Sequence, residues 1–199
     1  MDYQSSQNFQ LKQRLTAFVN RYEYYSEQND ESSGPIVTYA EQKRLALKEQ
    51  ITFWSSADKN TALFTLKAER TIDIAGRYNV RSSSDEAIGY LRKVFGKSLL
   101  RSTWEVYDAN NNLLFTGREK NLSIAIIRRI GTLLPVVGDV LEFLPFNFEF
   151  LREGVVAGYH QRQFGLRDNY QIHLESSLDD VDRRLVLALG VALDALQSR

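Results

Sequence analysis

LDDVDRRLVLALGVALDAL (178–196) is the stretch that decides the fold, because its centre is apolar around the whole circumference of a helix. No charged or polar side chain occurs from Leu185 to Leu193, whereas a helix at a protein surface keeps a polar face. A helix that spans a membrane needs about 20 apolar residues, and Asp194 interrupts this run much earlier. The sequence therefore predicts a helix over 179–196 that the rest of the chain encloses.

Both ends of this helix carry acidic residues. Ser176 or Ser177 is the candidate N-cap, and three aspartates would follow in the first turn, where they complement the positive end of the helix dipole. These are Asp179, Asp180 and Asp182, which suit this electrostatic role better than they suit a cation site. Asp194 lies at the other end, where a negative charge opposes the dipole, so we expect it to have a structural partner such as an arginine from the surrounding rim.

Composition argues against several classes of protein. Lys plus Arg and Asp plus Glu number 25 each among 199 residues, so the overall charge gives no case for binding nucleic acid. Without cysteine there is neither a disulfide framework nor a thiolate nucleophile or metal ligand, which suits a reducing compartment. The N-terminus lacks the basic and apolar regions of a secretory signal. We therefore expect a cytoplasmic protein, either free or attached peripherally to a membrane.

Residues 1–35 are expected to form an appendage. FQLKQRLTAFVNRYEYY (9–25) has apolar residues at helical spacing, and SEQNDESSGP (26–35) has the composition of a linker. The pattern predicts an amphipathic helix tethered to a domain over 36–199. This helix would dock on that domain, on a partner protein or on a second copy as a homodimer contact, and deleting residues 1–33 should leave the domain folded.

From residue 36 the chain consists of short runs rich in Val, Ile, Tyr, Phe, Trp and Thr, separated by turn residues. Four segments share the plan of an apolar strand, a polar or glycine-containing turn and a second strand: 51–69, 78–95, 104–120 and 148–164. Strands are also predicted at 36–42 and 45–54, and YQIHL (170–174) is a strand start whose second limb is replaced by the terminal helix. The chain is thus predicted to be mainly β with a buried helix.

The segment between the last two hairpins, 121–146, does not follow this plan. NLSIAIIRRI (121–130) is typical of a helix, capped by Asn121 or Ser123 and ended by Gly131. The remainder is apolar but interrupted by proline and glycine and carries two acidic residues, so it fits neither a strand nor a membrane span.

The sequence resembles the LURP-one-related proteins of the Tubby C-terminal-like superfamily. The likeness is carried by LKEQITFWSSADKNTALFTLKAERTIDIAGRYNV (47–80) and GYLRKVFGKSLLRSTWEVYDANNNLLF (89–115), and it covers residues 36–199. The ending 168–196 is similar to the ending of phospholipid scramblases, a distant branch, at Asn169, Tyr170, Ile172, Leu178, Asp179, Arg183 and Asp194. The resemblance implies a closed antiparallel barrel of about twelve strands around the C-terminal helix, and closure would remove exposed sheet edges.

The resemblance also implies a class of function. Tubby domains bind phosphoinositides and scramblases move phospholipids, whereas the LURP-one-related branch is largely without assigned chemistry. The chain departs from scramblases because it lacks their apolar length after the helix and has only Asp168, preceded by Arg167, where they carry an acidic calcium segment. Neither scrambling nor calcium control is therefore expected.

No pattern indicates an enzyme, a bound metal or a cofactor. DANNNLLFTGRE (108–119) spaces oxygen ligands as an EF-hand does, but Leu113 occupies the glycine position and strands flank the loop, so a hairpin turn is the better interpretation. His160 and His173 are the only histidines, and neither has a Cys or a second His at metal-ligand spacing. The sequence also contains no Gly-rich phosphate loop and no supported Ser-His-Asp arrangement.

Two sets of residues are candidates for ligand binding. A basic set would form an anion site for lipid head groups or, alternatively, solvated strand ends: Arg92, Lys93, Lys97, Arg101, Arg118, Lys120, Arg128 and Arg129. An apolar set would insert into a membrane or plug one end of the barrel: Leu133, Leu134, Val136, Val137, Leu141, Phe143, Leu144 and Phe146. We predict a non-enzymatic binding module for anionic phospholipid or lipid-like ligands at a membrane surface, the alternative being a protein–protein interaction scaffold without a lipid role.

Overall fold

The structure is a computed structural model that describes residues 3–16, 19–27, 33–43, 50–69, 76–94, 102–120, 147–163 and 169–195. The helix and the apolar segment predicted within 121–146 lie outside the described residues, as do Lys97, Arg101, Arg128 and Arg129. The membrane or plug role of that segment stays a prediction.

Twelve antiparallel strands close into a barrel in which each strand pairs with its neighbours along the chain and the first pairs with the last. They are β1 (Asn8–Leu15), β2 (Val19–Glu27), β3 (Ser33–Lys43), β4 (Gln50–Trp54), β5 (Ala62–Ala68), β6 (Arg77–Ser82), β7 (Ala87–Lys93), β8 (Thr103–Asp108), β9 (Leu113–Glu119), β10 (Phe148–Arg152), β11 (Val155–Gln163) and β12 (Asn169–Leu174). The helix α1 (Arg183–Ala195) follows β12. The predicted fold, a mainly β barrel of about twelve strands with a C-terminal helix, is confirmed.

The barrel encloses α1 because this helix offers apolar side chains in every direction. All residues from Leu185 to Leu193 are buried. Strand β7 comes so close that a Cβ added to Gly89 would lie 3.1 Å from the Leu185 side chain. Tyr24 of β2 donates a hydrogen bond to the Leu187 carbonyl over 2.6 Å. Each buried Leu or Val contributes about 1.5–3 kcal/mol, so α1 forms the centre of the hydrophobic core.

The predicted N-terminal helix is wrong, because residues 9–25 form β1 and β2 in the barrel wall. The apolar residues of this stretch fit both the spacing of an amphipathic helix and the alternation of a strand. Phe9 and Leu11 are buried in alternation along β1, as are Tyr22 and Tyr24 along β2. Pairing of β1 with β12 hides both edges of the sheet, and this closure outweighs the local helical spacing.

The barrel extends further toward the N-terminus than the boundary predicted at residue 36. β2 runs to Glu27 and β3 begins at Ser33, so strand occupies much of the stretch interpreted as a linker. Residues 1–35 therefore do not form an appendage, since they supply two strands of the wall.

The helix α1 begins at Arg183, later than the predicted start at residue 179. Asp182 caps it, because its Oδ1 accepts the backbone N–H of Arg184 over 2.9 Å. Ser176–Leu178 forms a separate 3-10 turn, so neither predicted serine is the cap of α1. Asp182, which lies next to the apolar run, thus satisfies a backbone N–H that has no partner within the first turn of the helix.

The two ends of the barrel are built differently. At the first, which we call the short-turn end, α1 enters and the hairpins β4–β5, β6–β7, β8–β9 and β10–β11 turn back. The tightest of these turns is Glu153–Gly154, whose φ angles of 51° and 82° are those of a two-residue hairpin turn. At the second, the Asp194 end, α1 finishes and most strands meet segments outside the described residues.

Arg183 ties the short-turn end together. Its side chain is fully buried, and Nε donates to the Ser6 carbonyl over 2.8 Å. Nη1 donates to the carbonyls of Leu178 at 2.6 Å and Val181 at 2.9 Å, and Nη2 lies 3.2 Å from a carboxylate oxygen of Asp179. The residues before β1 are therefore fastened to the start of α1 through one guanidinium group.

Candidate functional site

The candidate site is a group of arginine and tyrosine side chains on the outer wall of β6–β8. Alternation along the strands turns Val80 and Leu91 into the core, so Arg77 and Arg92 face outward. These two arginines are direct cross-strand partners in the register of β6 and β7. Their side chains are 41% and 42% exposed, so both guanidinium groups are accessible to a ligand.

Two stacked tyrosines support the arginine pair. The rings of Tyr90 and Tyr107 lie 4.6 Å apart at an angle of 8°. Arg77 Cζ is 3.7 Å from the centroid of Tyr90, and Arg92 Cζ is 5.1 Å from that of Tyr107. A guanidinium over an aromatic face contributes about 0.5–1 kcal/mol at an exposed site. The tyrosines thus hold two like charges side by side.

Glu105 completes this group, which we call the arginine–tyrosine strip (Arg77, Tyr90, Arg92, Glu105 and Tyr107). Glu105 Oε2 accepts hydrogen bonds from Arg92 Nε at 2.9 Å and from the Tyr107 hydroxyl at 2.8 Å. The hydrogen bond to Glu105 raises the pKa of Arg92, and burial together with Glu105 raises the pKa of Tyr107 to about 12. Both groups keep their protons at neutral pH, so Tyr107 stays neutral, Arg92 stays charged, and Glu105 holds both in place.

Arg77 is held more loosely than Arg92. Its Nε lies 3.1 Å from Glu69 Oε2 and 3.1 Å from Asn79 Oδ1. Ion pairs that are as exposed as this one contribute about 0–1 kcal/mol. Arg77 is therefore bound to its carboxylate partner less firmly than Arg92 is to Glu105.

The strip fits binding better than catalysis. Two guanidinium groups that share a face can hold a phosphate or a carboxylate from two sides. The pKa values of Arg92 and Tyr107 are raised, so neither of these two side chains exchanges a proton near neutral pH as a general acid or base does. Within the residues that the structure describes, no group of three or more acidic or histidine side chains is placed to hold a metal ion.

The structure separates the basic residues named from the sequence. Arg92 lies in the strip, whereas Lys93 projects from the opposite face of β7. Arg118 and Lys120 both pair with Glu149, at 3.9 and 3.7 Å, on a different part of the wall. The four described members therefore do not form a single anion site.

Sequence reasoning missed Arg77 and both tyrosines of the strip. The signal that could have identified them is the alternation of inward and outward residues in three segments: RYNV (77–80), AIGYLRK (87–93) and TWEVYD (103–108). Whether the arginines and tyrosines come together depends on the register of β6 and β7, which an irregularity between Val80 and Arg81 shifts. Such a shift cannot be read from any of the three segments alone.

The loop with EF-hand-like spacing is a hairpin turn, as predicted. Asp108 Oδ1 accepts the backbone N–H groups of Asn110 and Asn112, both at 2.8 Å. Asn111 takes a left-handed conformation with φ of 66°. The hydrogen bonds from Asn112 and Asn110 lower the pKa of Asp108, so its carboxylate is occupied in fixing the turn.

The two histidines occupy structural positions. His160 is buried, its ring stacks on Tyr170 at 4.8 Å, and neither ring nitrogen has a hydrogen-bond partner in the described part of the chain. Burial lowers the pKa of His160 to about 4, so the imidazole is neutral at physiological pH. His173 lies on the outer face, with Nδ1 2.7 Å from Asn8 Oδ1.

Asp194 is held by hydrogen bonds inside the barrel. Its carboxylate accepts from Gln13 Nε2 at 2.5 Å, the Tyr22 hydroxyl at 2.8 Å and the Tyr170 hydroxyl at 3.1 Å. An amide and two phenols thus take the role that the sequence assigned to an arginine. Burial, together with the charge of Asp194, raises the pKa of Tyr22 well above its ordinary value.

Comparison with models of protein families gives a match described as LURP-one-related over residues 36–194. The matched range begins in β3 and ends in α1, so β1 and β2 precede it although they complete the barrel. No curated protein and no solved structure matches the chain. Among the described residues, no helix is both long and apolar enough to cross a membrane.

Proposed function

The chain belongs to the LURP-one-related family, and we propose that it is a non-enzymatic binding module for the phosphate-bearing head group of an anionic phospholipid at a membrane surface. The observation that carries this proposal is the arginine–tyrosine strip, where Arg77 and Arg92 stand opposite each other on neighbouring strands. Notably, only Arg92 belonged to the basic set named from the sequence.

The electrostatics of the strip favour an anionic ligand. Arg77 pairs with Glu69 and Arg92 pairs with Glu105, and the exposed Arg77–Glu69 pair is the weaker of the two. A phosphate would bind by taking the place of Glu69 on Arg77 while it also contacts Arg92. Hydrogen bonds between guanidinium and phosphate are about twice as strong as those between neutral groups.

The position of the strip favours a surface over a small dissolved anion. Arg77 and Arg92 lie on the open outer wall, where a planar membrane can reach both without a ligand having to enter a cavity. Lys67 of β5, the partner of Asn79 in β6, adds an exposed positive charge beside the strip. Each basic side chain near an anionic leaflet contributes about 1 kcal/mol.

Sedimentation with lipid vesicles tests the proposal. The protein should sediment with vesicles that contain phosphoinositide or phosphatidylserine and stay in solution with neutral vesicles, and added salt should weaken binding. Arg77→Gln combined with Arg92→Gln should weaken binding about ten- to thirtyfold, because two contributions of about 1 kcal/mol are lost.

Arg14 and Arg21 provide a matched control. They are also direct cross-strand partners, on β1 and β2, and both are exposed. Arg14→Gln combined with Arg21→Gln removes the same charge from another part of the wall and should leave binding largely unchanged. The proposal would be contradicted if both double variants lost vesicle binding equally, or if the protein with Arg77→Gln and Arg92→Gln bound vesicles as well as the unchanged chain.

A protein-interaction scaffold is the second candidate function, and a different surface favours it. At the short-turn end, apart from the arginine–tyrosine strip, large apolar side chains are exposed at Leu113, Val155 and Val156.

A further inference from the structure

The inner wall of the barrel changes from apolar to polar toward the Asp194 end. Along β1, the buried side chains that face inward run from Phe9 through Leu11 to Gln13. β12 shows the same change in the opposite chain direction, from Leu174 to Tyr170. The polar side chains that face inward at this end of β1, β2, β11 and β12 are Gln13, Asn20, Tyr22, His160 and Tyr170. We call these side chains, together with Asp194, the polar layer.

Hydrogen bonds to Asp194 connect the polar layer into one group. Gln13 and Tyr22 are direct cross-strand partners, and both donate to Asp194 Oδ2, over 2.5 and 2.8 Å. Tyr170 donates to Asp194 Oδ1 over 3.1 Å, and its ring stacks on that of His160 with the centroids 4.8 Å apart. The layer therefore has a carboxylate at its centre.

The direction of these hydrogen bonds decides which atoms remain available. A carboxylate only accepts, so Gln13 turns its N–H group toward Asp194 and its Oε1 away. Tyr22 uses its single proton on Asp194, and Asn20 hydrogen-bonds to Tyr22, which partly offsets the rise in the pKa of Tyr22 that burial and Asp194 cause. Gln13 Oε1 and Asn20 Oδ1 are buried, and neither has a hydrogen-bond partner in the part of the chain that the structure describes. The groups that both amides still offer are acceptors.

His160 adds a third acceptor to the layer. Its ring is 1% exposed, and neither ring nitrogen has a hydrogen-bond partner among the described residues. Burial lowers the pKa of His160 to about 4, so at neutral pH one ring nitrogen carries a proton and the other accepts. Buried acceptors without a donor are unfavourable, so acceptors linked to a carboxylate favour a ligand that brings donors and positive charge.

A protonated primary amine has this chemistry. Its ammonium group carries a positive charge and three N–H donors, which match in number Gln13 Oε1, Asn20 Oδ1 and one nitrogen of His160. An anion would be repelled by Asp194, and divalent metal ions usually take several carboxylate or imidazole ligands, of which the layer has one each. The ends of β-barrels are common positions for small-ligand sites. We propose that the polar layer binds the ammonium group of a small primary amine inside the barrel.

Nuclear magnetic resonance titration of the full chain with propylammonium chloride tests the proposal. Propylammonium should shift the ring signals of His160 and Tyr170. Tetramethylammonium chloride, which has the same charge but no N–H donor, and sodium propionate should not shift them. Equal shifts with tetramethylammonium, or no shift with propylammonium in the folded protein, would overturn the proposal. This comparison of ligands needs no substitution, so its result does not depend on whether a variant folds.

Substitutions then locate the site. Asn20→Leu and His160→Phe should each weaken propylammonium binding about tenfold, because each removes one acceptor for a charged donor. Gln10→Leu is the matched control, since Gln10 lies on the outer face of β1 and should leave the affinity unchanged. Unchanged affinity in both Asn20→Leu and His160→Phe, or an equal loss in Gln10→Leu, would also overturn the proposal.

Discussion

The two ends of the barrel differ in how completely their buried polar groups are paired. At the short-turn end, each guanidinium nitrogen of the buried Arg183 has an acceptor. At the Asp194 end, five buried atoms have no hydrogen-bond partner in the described part of the chain: Gln13 Oε1, Asn20 Oδ1, Arg118 Nε, and Nδ1 and Nε2 of His160. A buried polar atom left unpaired costs about 1–3 kcal/mol. Among the described residues, the buried polar groups of the short-turn end are therefore paired more completely than those of the Asp194 end.

Removing the N-terminal strands should have the largest effect, because it damages both ends together. Deletion of residues 1–28 takes away β1, β2 and the Ser6 carbonyl that Arg183 binds, and it leaves β3 and β12 as open edges. We expect aggregation and no cooperative melting transition by circular dichroism. A soluble truncated protein with the melting temperature of the full chain would show that β1 and β2 are dispensable, as the sequence alone suggested.

Substitution of Arg183 should break the short-turn end selectively. In Arg183→Met, the buried carbonyls of Leu178 and Val181 lose their donors, and we expect the free energy of unfolding in urea to fall by about 3–5 kcal/mol. Arg184→Met is the matched control, because its neighbouring guanidinium pairs with Asp182 nearer the surface and should contribute about 1 kcal/mol or less. Similar losses from both variants would show that the buried Arg183 contributes no more to stability than the partly exposed Arg184.

Acidification should act through His160 at the Asp194 end. Its pKa is about 4 in the folded protein and 6.5 in a model peptide, so the unfolded chain binds the proton more tightly. The neutral ring therefore makes its full contribution to the free energy of unfolding above pH 6.5. On the order of 3 kcal/mol of this contribution is lost as the pH falls toward 4. His160→Phe should flatten the pH dependence of urea unfolding between pH 7 and 4.5, whereas His173→Phe should not. An equally steep loss in His160→Phe would refute this assignment.

The smallest effect is expected at Asp194 itself. Asp194→Asn keeps the shape of the side chain and one acceptor oxygen, which can still accept from Gln13 and Tyr22. Its NH2 group replaces the oxygen that accepts from Tyr170, so we expect a loss of about 1 kcal/mol in the free energy of unfolding. A loss as large as that of Arg183→Met would mean that the two ends contribute equally.

The hairpins and the enclosed helix could be predicted because local patterns determine them. Alternating residues flank short polar turns, as at Asp108–Asn112, and the run from Leu185 to Leu193 has no polar face. The stretch 9–25 was misassigned because its apolar residues fit helical and strand periods equally well. Only its pairing with β12, which lies more than 140 residues away in the sequence, decides between them.

The candidate site could be predicted only in part, for a related reason. Arg92 was named from charge alone, but Arg77, Tyr90 and Tyr107 acquire their roles from the alignment of three strands. The partners of Asp194 were unexpected because they come from β1, β2 and β12, which meet only when the barrel closes. Register across strands is a tertiary property, so sequence spacing does not reveal it.

β1 and β12 close the wall around α1, and a cross-link between these two strands tests the closure most directly. Gln10 and Gln171 are direct partners on the outer face of these strands, and the chain has no cysteine of its own. Gln10→Cys combined with Gln171→Cys should oxidise to an intramolecular disulfide in the folded protein and keep the melting transition. Gln10→Cys with His173→Cys, two residues out of register, should cross-link poorly. Failure of the in-register pair to cross-link, or equal cross-linking of both pairs, would contradict the closed barrel.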